Sequence, residues 1–158
     1  MRILGIDPGT VRTGLALLEN NYLTWATVVT PKGADVKERL RELGLLLPRA
    51  MRERGGYDRL VIEWQAIRPG DPRPNDILHL ATVLGIVLAH VPAEVEVLMP
   101  LPVEWRGSVP KDVLHKRILA HVPGTGPAVL HLPATKQLDA IDAAGLAAWG
   151  VAQKRPWN

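Results

Sequence analysis

Residues 2–10, near the N-terminus, have the sequence Arg-Ile-Leu-Gly-Ile-Asp-Pro-Gly-Thr. The unbroken apolar run of residues 3–6 predicts a buried β-strand, and the Pro-Gly pair after it predicts a turn. Asp7 would then be the last residue of a buried strand, where a carboxylate is costly unless it is paired or binds a cation. The elements that follow are interpreted around this strand as the centre of a sheet.

Two further strands are predicted directly after the turn, at residues 14–19 and 22–29. The Asn-Asn pair between them would join them as a hairpin. With residues 2–7 they would form a three-stranded antiparallel meander. Gly14 would begin the second strand opposite the end of the first, where its missing side chain could leave space beside Asp7.

Beyond the meander, the predicted helices and strands alternate. They are a helix over 35–54, a strand over 59–62, a helix over 76–90, a strand over 94–99, a helix over 110–121 and a closing helix over 139–152. Pro48 lacks the amide that would close a helical turn, so the first helix is expected to be kinked or divided there. This order predicts one α/β domain over residues 1–158, with a mixed five-stranded sheet that adds parallel strands to the meander and carries helices on both faces.

Two segments of this plan suggest contacts outside the domain. The loop over 64–75 is dense in Pro, Gly and Arg, and a loop of that length after a strand end is expected to face a substrate. The helix over 76–90 is apolar around most of its circumference, so both of its sides should be covered. In a protein of this size, one side is expected to pack on the sheet and the other to meet a second copy in a homodimer.

Four acidic residues lie where predicted elements begin or end: Asp7, Glu63, Asp139 and Asp142. The last two are three residues apart and would share one face of the closing helix. Each acid alone has an ordinary explanation, as a turn residue, a helix N-cap or a favourable partner of a helix dipole. Together they favour a metal site, because too few basic residues lie nearby to pair with every acid and hard divalent cations such as Mg²⁺ bind carboxylate oxygens. Metal-assisted phosphodiester cleavage uses such a cluster.

The composition narrows the class of protein. The chain has a formal net charge of +3 and a pI near 9.5, which permits binding to a polyanion. It has no cysteine, which removes disulfides, thiolate chemistry and cysteine-ligated metal sites. The first apolar run is too short for a signal sequence, and no run approaches the length of a membrane span. A soluble cytoplasmic protein is expected.

Three stretches carry a resemblance to a known family: Ile-Leu-Gly-Ile-Asp-Pro-Gly-Thr at 3–10 with Thr-Gly at 13–14, Val-Ile-Glu at 61–63, and Asp-Ala-Ile-Asp-Ala at 139–143. In this order and at these spacings they resemble the RuvC family of Holliday-junction resolvases over nearly the whole chain. The combination of the first stretch with the last is the specific part of the match. The resemblance implies an RNase H-like fold, a homodimer and four acidic metal ligands at Asp7, Glu63, Asp139 and Asp142.

The activity that this resemblance implies is that of a crossover junction endodeoxyribonuclease, an enzyme of DNA recombination and repair. Two Mg²⁺ ions, for which Mn²⁺ is expected to substitute, would be bridged by Asp7, with Glu63 on one ion and Asp139 or Asp142 completing the shells. One ion would activate a water and the other would stabilise the leaving oxygen, so that cleavage leaves a 5′-phosphate. A two-fold dimer would nick two strands of like polarity in a four-way junction. Lys111 resembles a family lysine near the active centre and joins the catalytic set.

DNA affinity is expected to come largely from phosphate neutralisation by basic side chains. The candidates are Arg12, Arg68, Arg73, Arg106, Lys111, Lys116, Arg117, Lys136, Lys154 and Arg155. Lys111 is the best of them, because the free amides at the start of its helix also attract phosphate; for each of the others a solvated surface charge is the more ordinary explanation. Trp64 and Ile67 are candidates to wedge against unstacked bases at the crossover. Core packing of Trp64 is an open alternative.

The remaining tryptophan and histidine side chains give little indication of function. Trp25 and Trp149 are predicted to lie in the core, and Trp105 is undecided. The five histidines lack a paired ligand spacing, so a histidine metal site is not favoured. The chain departs from cellular members of the family in the short segment 102–111 and in the tryptophan that follows Glu63. These differences favour a compact, viral relative, which places the protein in a bacterial cell or a virus-infected host cell.

Three other functions compete with this interpretation. The Gly-Ile-Asp-Pro-Gly-Thr turn also resembles the nucleotide-phosphate turn of the actin and sugar-kinase superfamily, but those proteins need two such domains to enclose ATP, so no nucleotide cofactor is expected. A nuclease of the same fold that acts on flaps, forks or RNA–DNA hybrids is an alternative, because the fold and the acids would be shared. A non-enzymatic junction-binding protein is disfavoured by the retention of all four acids.

Overall fold

The computed structural model describes residues 1–65 and 74–156. In chain order, the elements in these ranges are β1 (Arg2–Asp7), β2 (Thr13–Glu19), β3 (Tyr22–Val29), α1 (Val36–Arg52), β4 (Arg59–Ile62), α2 (Pro74–Leu88), β5 (Glu96–Leu98), α3 (Pro102–Trp105), α4 (Lys111–His121), α5 (Thr125–Leu130) and α6 (Ala134–Ala152). Every predicted strand and helix is present, although several of their ends differ from the prediction.

The strands form one five-stranded sheet in the order β3-β2-β1-β4-β5. β1 pairs antiparallel with β2 and parallel with β4; β3 extends the antiparallel side and β5 the parallel side. This arrangement confirms the mixed sheet, the meander and the central position of β1. Ile6 pairs with Ile62 in parallel register. The residues that follow them, Asp7 and Glu63, therefore lie next to each other at the carboxyl ends of the two strands.

Helices cover both faces of the sheet, as predicted. Alternate side chains of β1 point to opposite faces, so Ile3 packs in the core cluster under α6, whereas Leu4 and Ile6 pack in the cluster that contains the buried sides of α1 and α2. Helix α6 is buried without a break over residues 140–150. It is rich in alanine and glycine there, and these small side chains let it lie close to the sheet.

Gly5, in the middle of β1, sets how closely α6 approaches. A Cβ atom at this position would lie 2.1 Å from the carbonyl oxygen of Ala143 and 2.6 Å from the backbone nitrogen of Ala147. There is no room for a side chain, and the backbone of α6 therefore lies directly against that of β1. Two of the four acids are carried by α6, so this contact fixes their distance from the sheet.

Of the two outcomes predicted at Pro48, a division of the first helix is wrong, and a kink stays a prediction. Helix α1 runs without interruption over Val36–Arg52, with Pro48 inside it and buried. Proline removes one backbone hydrogen bond to the carbonyl four residues earlier. The buried side chains of Leu43, Leu47 and Met51, on both sides of the proline, pack in one core cluster, and this packing keeps the two halves of the helix together.

The predicted start of the closing helix is also wrong. Helix α6 begins at Ala134 with Pro133 at its N-cap, so Asp139 lies inside the helix and the explanation of Asp139 as an N-cap is excluded. Residues 134–138 favour a helix by propensity but lack apolar periodicity, which is why the pattern missed them. Helices α3 and α5 were not predicted, because four and six residues are too few to show a period.

Helix α2 is buried on one side only within the chain. Val83, Leu84 and Val87 pack in the same cluster as α1, while Leu78 on the other side is exposed. The homodimer contact through residues 76–90 stays a prediction. Among the described residues, none of the helices has the length and apolar character needed to cross a membrane.

Candidate active site

The predicted acids come from three elements that meet at one corner of the sheet. Asp7 ends β1, and Glu63 directly follows β4 and donates its backbone N–H to the carbonyl oxygen of Ile6 at 3.4 Å. Asp139 and Asp142 lie on α6, three residues apart. The strands supply two carboxylates through parallel register, and the helix supplies two through its close packing on β1.

Gly14 brings the helix to the strand end. It pairs with Asp7 across β1 and β2, and a Cβ atom on it would lie 2.1 Å from the carbonyl oxygen of Asp139. The space beside Asp7 that the sequence predicted is therefore filled by the backbone of α6. This contact places the helical acids beside the strand-end acids.

Asp7 is influenced electrostatically by all three other acids. Burial is the largest cause that raises the pKa of the Asp7 carboxyl well above its usual value, followed by the charges of Asp142 and Glu63 and, more weakly, Asp139; the charge of Lys111 opposes them. Ionising all of these clustered carboxylates costs free energy, because their charges repel. A bound cation would offset that repulsion. Asp7 is the electrostatic centre of the group.

Glu63 is buried and held by two side-chain donors. Its side chain is 5% exposed, Trp105 donates its indole N–H to Oε2 at 2.5 Å, and Gln65 donates to Oε1. Burial raises the pKa of Glu63, while the Trp105 hydrogen bond and the charge of Arg106 reduce the rise. Glu63 thus has neutral donors within hydrogen-bonding distance.

Asp142 is the most buried of the helical acids, and its partners are an ammonium group and an imidazole ring. Its side chain is 2% exposed; Lys111 Nζ lies 2.8 Å from Oδ2 and His115 Nε2 lies 2.9 Å from Oδ1. Burial opposes ionisation, but the hydrogen bonds from His115 and Lys111 and the charge of Lys111 together hold the pKa of Asp142 below its usual value. In return, Asp142 raises the pKa of Lys111 against the effect of burial.

Asp139 forms an ion pair with Arg12. The Nε atom of Arg12 lies 2.8 Å from Oδ2 of Asp139. Burial raises the pKa of Asp139, and the charge of Arg12 partly offsets that rise. Arg12, predicted to bind DNA, therefore has a partner inside the protein, and its contact with DNA stays a prediction.

The donor set suits a hard divalent cation, although the side chains are not arranged around one. Among the described residues, no group of three or more histidine, aspartate or glutamate side chains is arranged to hold a metal ion. The carboxylates of Glu63, Asp139 and Asp142 face indole, guanidinium, ammonium and imidazole donors instead. All four offer carboxylate oxygen, the ligand type that Mg²⁺ takes, and the charges of the other three acids add to burial in raising the pKa of Asp7.

The predicted DNA-contacting residues differ in their exposure to solvent. Trp64 is 40% exposed beside Glu63, so its core packing is excluded. Lys111 and Lys116 are exposed, and Arg106 and Arg117 are half-buried. Ile67, Arg68 and Arg73 lie outside the described residues. Of the other basic candidates, Lys154 is exposed, Lys136 is half-buried, and Arg155 donates to the backbone carbonyls of residues 103 and 104. Contact with DNA stays a prediction for each.

Two residues of the site were missed from the sequence. Trp105, which was left undecided, is a core residue that donates to Glu63, and His115, counted among histidines without a ligand spacing, is a buried partner of Asp142. The one available signal was that His115 lies four residues after Lys111, on the same face of a predicted helix. The core positions predicted for Trp25 and Trp149 are confirmed.

The fold is that of known resolvases, although no family model and no curated protein matches the sequence. The chain is similar to Thermus thermophilus RuvC in complex with a Holliday junction substrate, with a TM-score of 0.68 and 21% identity over 94% of this chain and 90% of that one. It is also similar to the yeast mitochondrial Holliday junction resolvase Ydc2, with a TM-score of 0.59 and 14% identity over 92% of this chain and 77% of that one. The chain has the α/β RNase H-like fold that the RuvC resemblance implied.

Proposed function

We propose that this chain is a metal-dependent endonuclease that resolves four-way DNA junctions. The observation that carries the proposal is the convergence of the four acids. Asp7 and Glu63 stand at the ends of neighbouring parallel strands, and Gly14, which pairs with Asp7, packs directly against the backbone of Asp139 in α6. Residues distant in sequence therefore meet at one corner of a RuvC-like sheet. A similar structure was solved with a Holliday junction substrate, which supports the same class of substrate here.

The metal ligands in this proposal are Asp7, Glu63, Asp139 and Asp142. Bound divalent ions would supply an activated water and positive charge for the phosphoryl oxygens. Mg²⁺ fits the oxygen-only donor set, and Mn²⁺ is expected to replace it. The protein contributes by holding a carboxylate in place: Trp105 and Gln65 hold Glu63.

Lys111 is suited to bind a DNA phosphate at this site. About 59% of its side chain is exposed although its ammonium contacts buried Asp142, and it lies in the first turn of α4, where free amides also attract an anion. The raised pKa of Lys111 keeps the ammonium charged at neutral pH. A phosphate that approaches Asp7 would therefore meet a positive charge.

Resolution of a junction requires two cuts. The described residues of one chain form one cluster of four acids, so a two-fold dimer is proposed to place two such clusters on two strands of like polarity. The side of α2 that carries exposed Leu78 is the proposed contact between the copies.

The test is cleavage of end-labelled substrates by the purified chain in Mg²⁺ and in EDTA. A synthetic four-way junction is compared with a linear duplex, a fork and an RNA–DNA hybrid of related sequence, and Asp7→Asn is the inactive control. Paired, symmetric nicks in the junction alone are expected. Equal cutting of forks or hybrids would identify a broader nuclease of the same fold, and binding without cutting by the wild type would identify a junction-binding protein.

A further inference from the structure

His115 is buried beside the proposed metal site and has no role in the function described so far. Its side chain lies on α4, is 6% exposed, and its Nε2 atom lies 2.9 Å from Oδ1 of Asp142. Because an ionised carboxylate can only accept hydrogen bonds, Nε2 carries the proton and donates it.

The two oxygens of Asp142 have partners of different mobility. Oδ2 contacts the ammonium of Lys111, whose side chain is largely exposed, whereas Oδ1 contacts the buried imidazole of His115. Lys111 and His115 are four residues apart on α4 and so share one helix face. Of the two, only Lys111 can withdraw into solvent or towards a phosphate without disturbing the core.

The core around α4 fixes the imidazole. Leu114 and Ile118, on either side of His115 along the helix, are fully buried in the cluster that also contains α6. The side-chain atoms of Ile118 and Trp105 occupy the space over Gly145, one turn after Asp142. Helices α4 and α6 therefore cannot shift apart without opening the core, and the donor is held at a constant position relative to the carboxylate.

We propose that His115 is a positioning residue, which fixes Asp142 through Oδ1 so that Oδ2, the oxygen now bound by Lys111, is offered to a divalent cation. The inference rests on the proposed function, because it assigns Asp142 as a metal ligand. Hydrogen-bonding partners of metal ligands typically contribute about 10–100-fold to metal affinity. Lys111 has the opposite effect on the same oxygen, since its ammonium competes with the cation.

The experiment measures Mg²⁺ and Mn²⁺ binding to the DNA-free protein by isothermal titration calorimetry. His115→Leu removes the donor and keeps apolar bulk, whereas His115→Gln keeps an N–H at about the same reach. His121→Leu is the matched control, because His121 is exposed at the end of the same helix. Lys111→Met removes the competing ammonium. Thermal unfolding of each variant reports whether it folds, and His115→Asn, whose amide is too short for Oδ1, replaces the leucine variant if that one does not.

The expected result is metal binding weakened about tenfold or more in His115→Leu, restored to within about threefold in His115→Gln, unchanged in His121→Leu, and unchanged or tighter in Lys111→Met. Equal affinities for wild type and His115→Leu would overturn the positioning role, as would equal losses in the leucine and glutamine variants. A loss in Lys111→Met as large as that in His115→Leu would overturn the division between the two oxygens. If the wild type binds neither ion and cuts no junction, the proposed function itself fails.

Discussion

The end of β1 and the middle of α6 each bring a carboxylate to the same corner, yet the two carboxylates have opposite pKa shifts. Burial and the neighbouring acids raise the pKa of Asp7, whereas His115 and Lys111 hold the pKa of Asp142 below its usual value despite burial. The helical side has its own counter-charges. On the strand side, the charge of Lys111 offsets only part of the rise in the pKa of Asp7, and a bound cation would lower that pKa further.

The largest expected effect comes from Asp7→Asn, which removes the strand-end charge and keeps the shape of the side chain. Loss of a metal ligand should reduce junction cleavage at least about 10³-fold, equal to about 4 kcal/mol of transition-state stabilisation. Single-turnover cleavage measures this, and gel retardation in Ca²⁺ measures junction binding, which should survive. Asp112→Asn is the control, because Asp112 is an exposed acid in the first turn of α4. If Asp7→Asn abolishes binding and folding as well, Asp7 is a structural residue.

A second prediction concerns the glycine that joins the two sides. In Gly14→Ala the new Cβ would lie 2.1 Å from the backbone oxygen of Asp139, so α6 must move away from the strand end. A loss of about 1–3 kcal/mol in the free energy of unfolding is expected from such overpacking, together with reduced cleavage because the helical acids shift. Urea denaturation measures the stability.

Gly44→Ala is the matched control for that substitution. Gly44 lies in α1, and a Cβ there has nothing within 4 Å. Alanine is the better helix former, so this variant should gain up to about 1 kcal/mol. If Gly14→Ala is as stable and as active as the wild type, the close approach of α6 does not control the position of Asp139 and Asp142.

These glycines also show what the sequence could predict and what it could not. Apolar runs and the IDPG turn were enough to predict β1 and β4 and to place Asp7 and Glu63 at their ends, because both signals are local in the sequence. Contacts between distant segments were not predictable: Trp105 and Glu63 are 42 residues apart, and His115 and Asp142 are 27 apart. Both contacts depend on how α3 and α4 pack on α6. The space beside Gly14 was predicted from the sequence. The sequence did not show that the backbone of α6 fills this space.

A third prediction uses the opposite pKa shifts of Asp7 and Asp142, which should change the stability of the metal-free protein in opposite directions as pH rises. Between the usual pKa of 3.8 and its raised value in the protein, folded Asp7 keeps a proton that the unfolded chain has lost, so metal-free stability falls as pH rises through this interval. Asp142 acts in the opposite sense, because its lowered pKa gives a stabilisation present above 3.8 and lost below it. Above about pH 4, the Asp142 effect should therefore be constant, while Asp7 lowers the stability together with Glu63 and Asp139, whose pKa values are also raised.

Asp7→Asn should remove the contribution of Asp7 to the loss of stability that the metal-free wild type shows as pH rises. In EDTA at pH 7 the variant is expected to be more stable than the wild type by about 1 kcal/mol, or about 2–4 °C in Tm for a chain of this length, and the difference should shrink towards pH 4. Millimolar Mg²⁺ should raise the Tm of the wild type and not that of the variant. Thermal unfolding across pH measures both effects. A variant less stable than the wild type at pH 7 would show that the Asp7 carboxylate is already satisfied within the protein.

The smallest expected effect concerns Glu63, the second strand-end acid, whose direct hydrogen-bond donors are neutral. Trp105→Phe removes the indole N–H that donates to Oε2, and this hydrogen bond opposes the rise that burial causes in the pKa of Glu63. The pKa of Glu63 should therefore rise further, and the acid limb of the cleavage rate against pH should move to higher pH. Trp149→Phe controls for the lost volume, because Trp149 is buried in the same core cluster. If the acid limb moves equally in both variants, the change comes from packing. If it moves only in Trp105→Phe, the strand-end acid Glu63 depends on hydrogen bonds from neutral donors, whereas the helical acids have cationic partners.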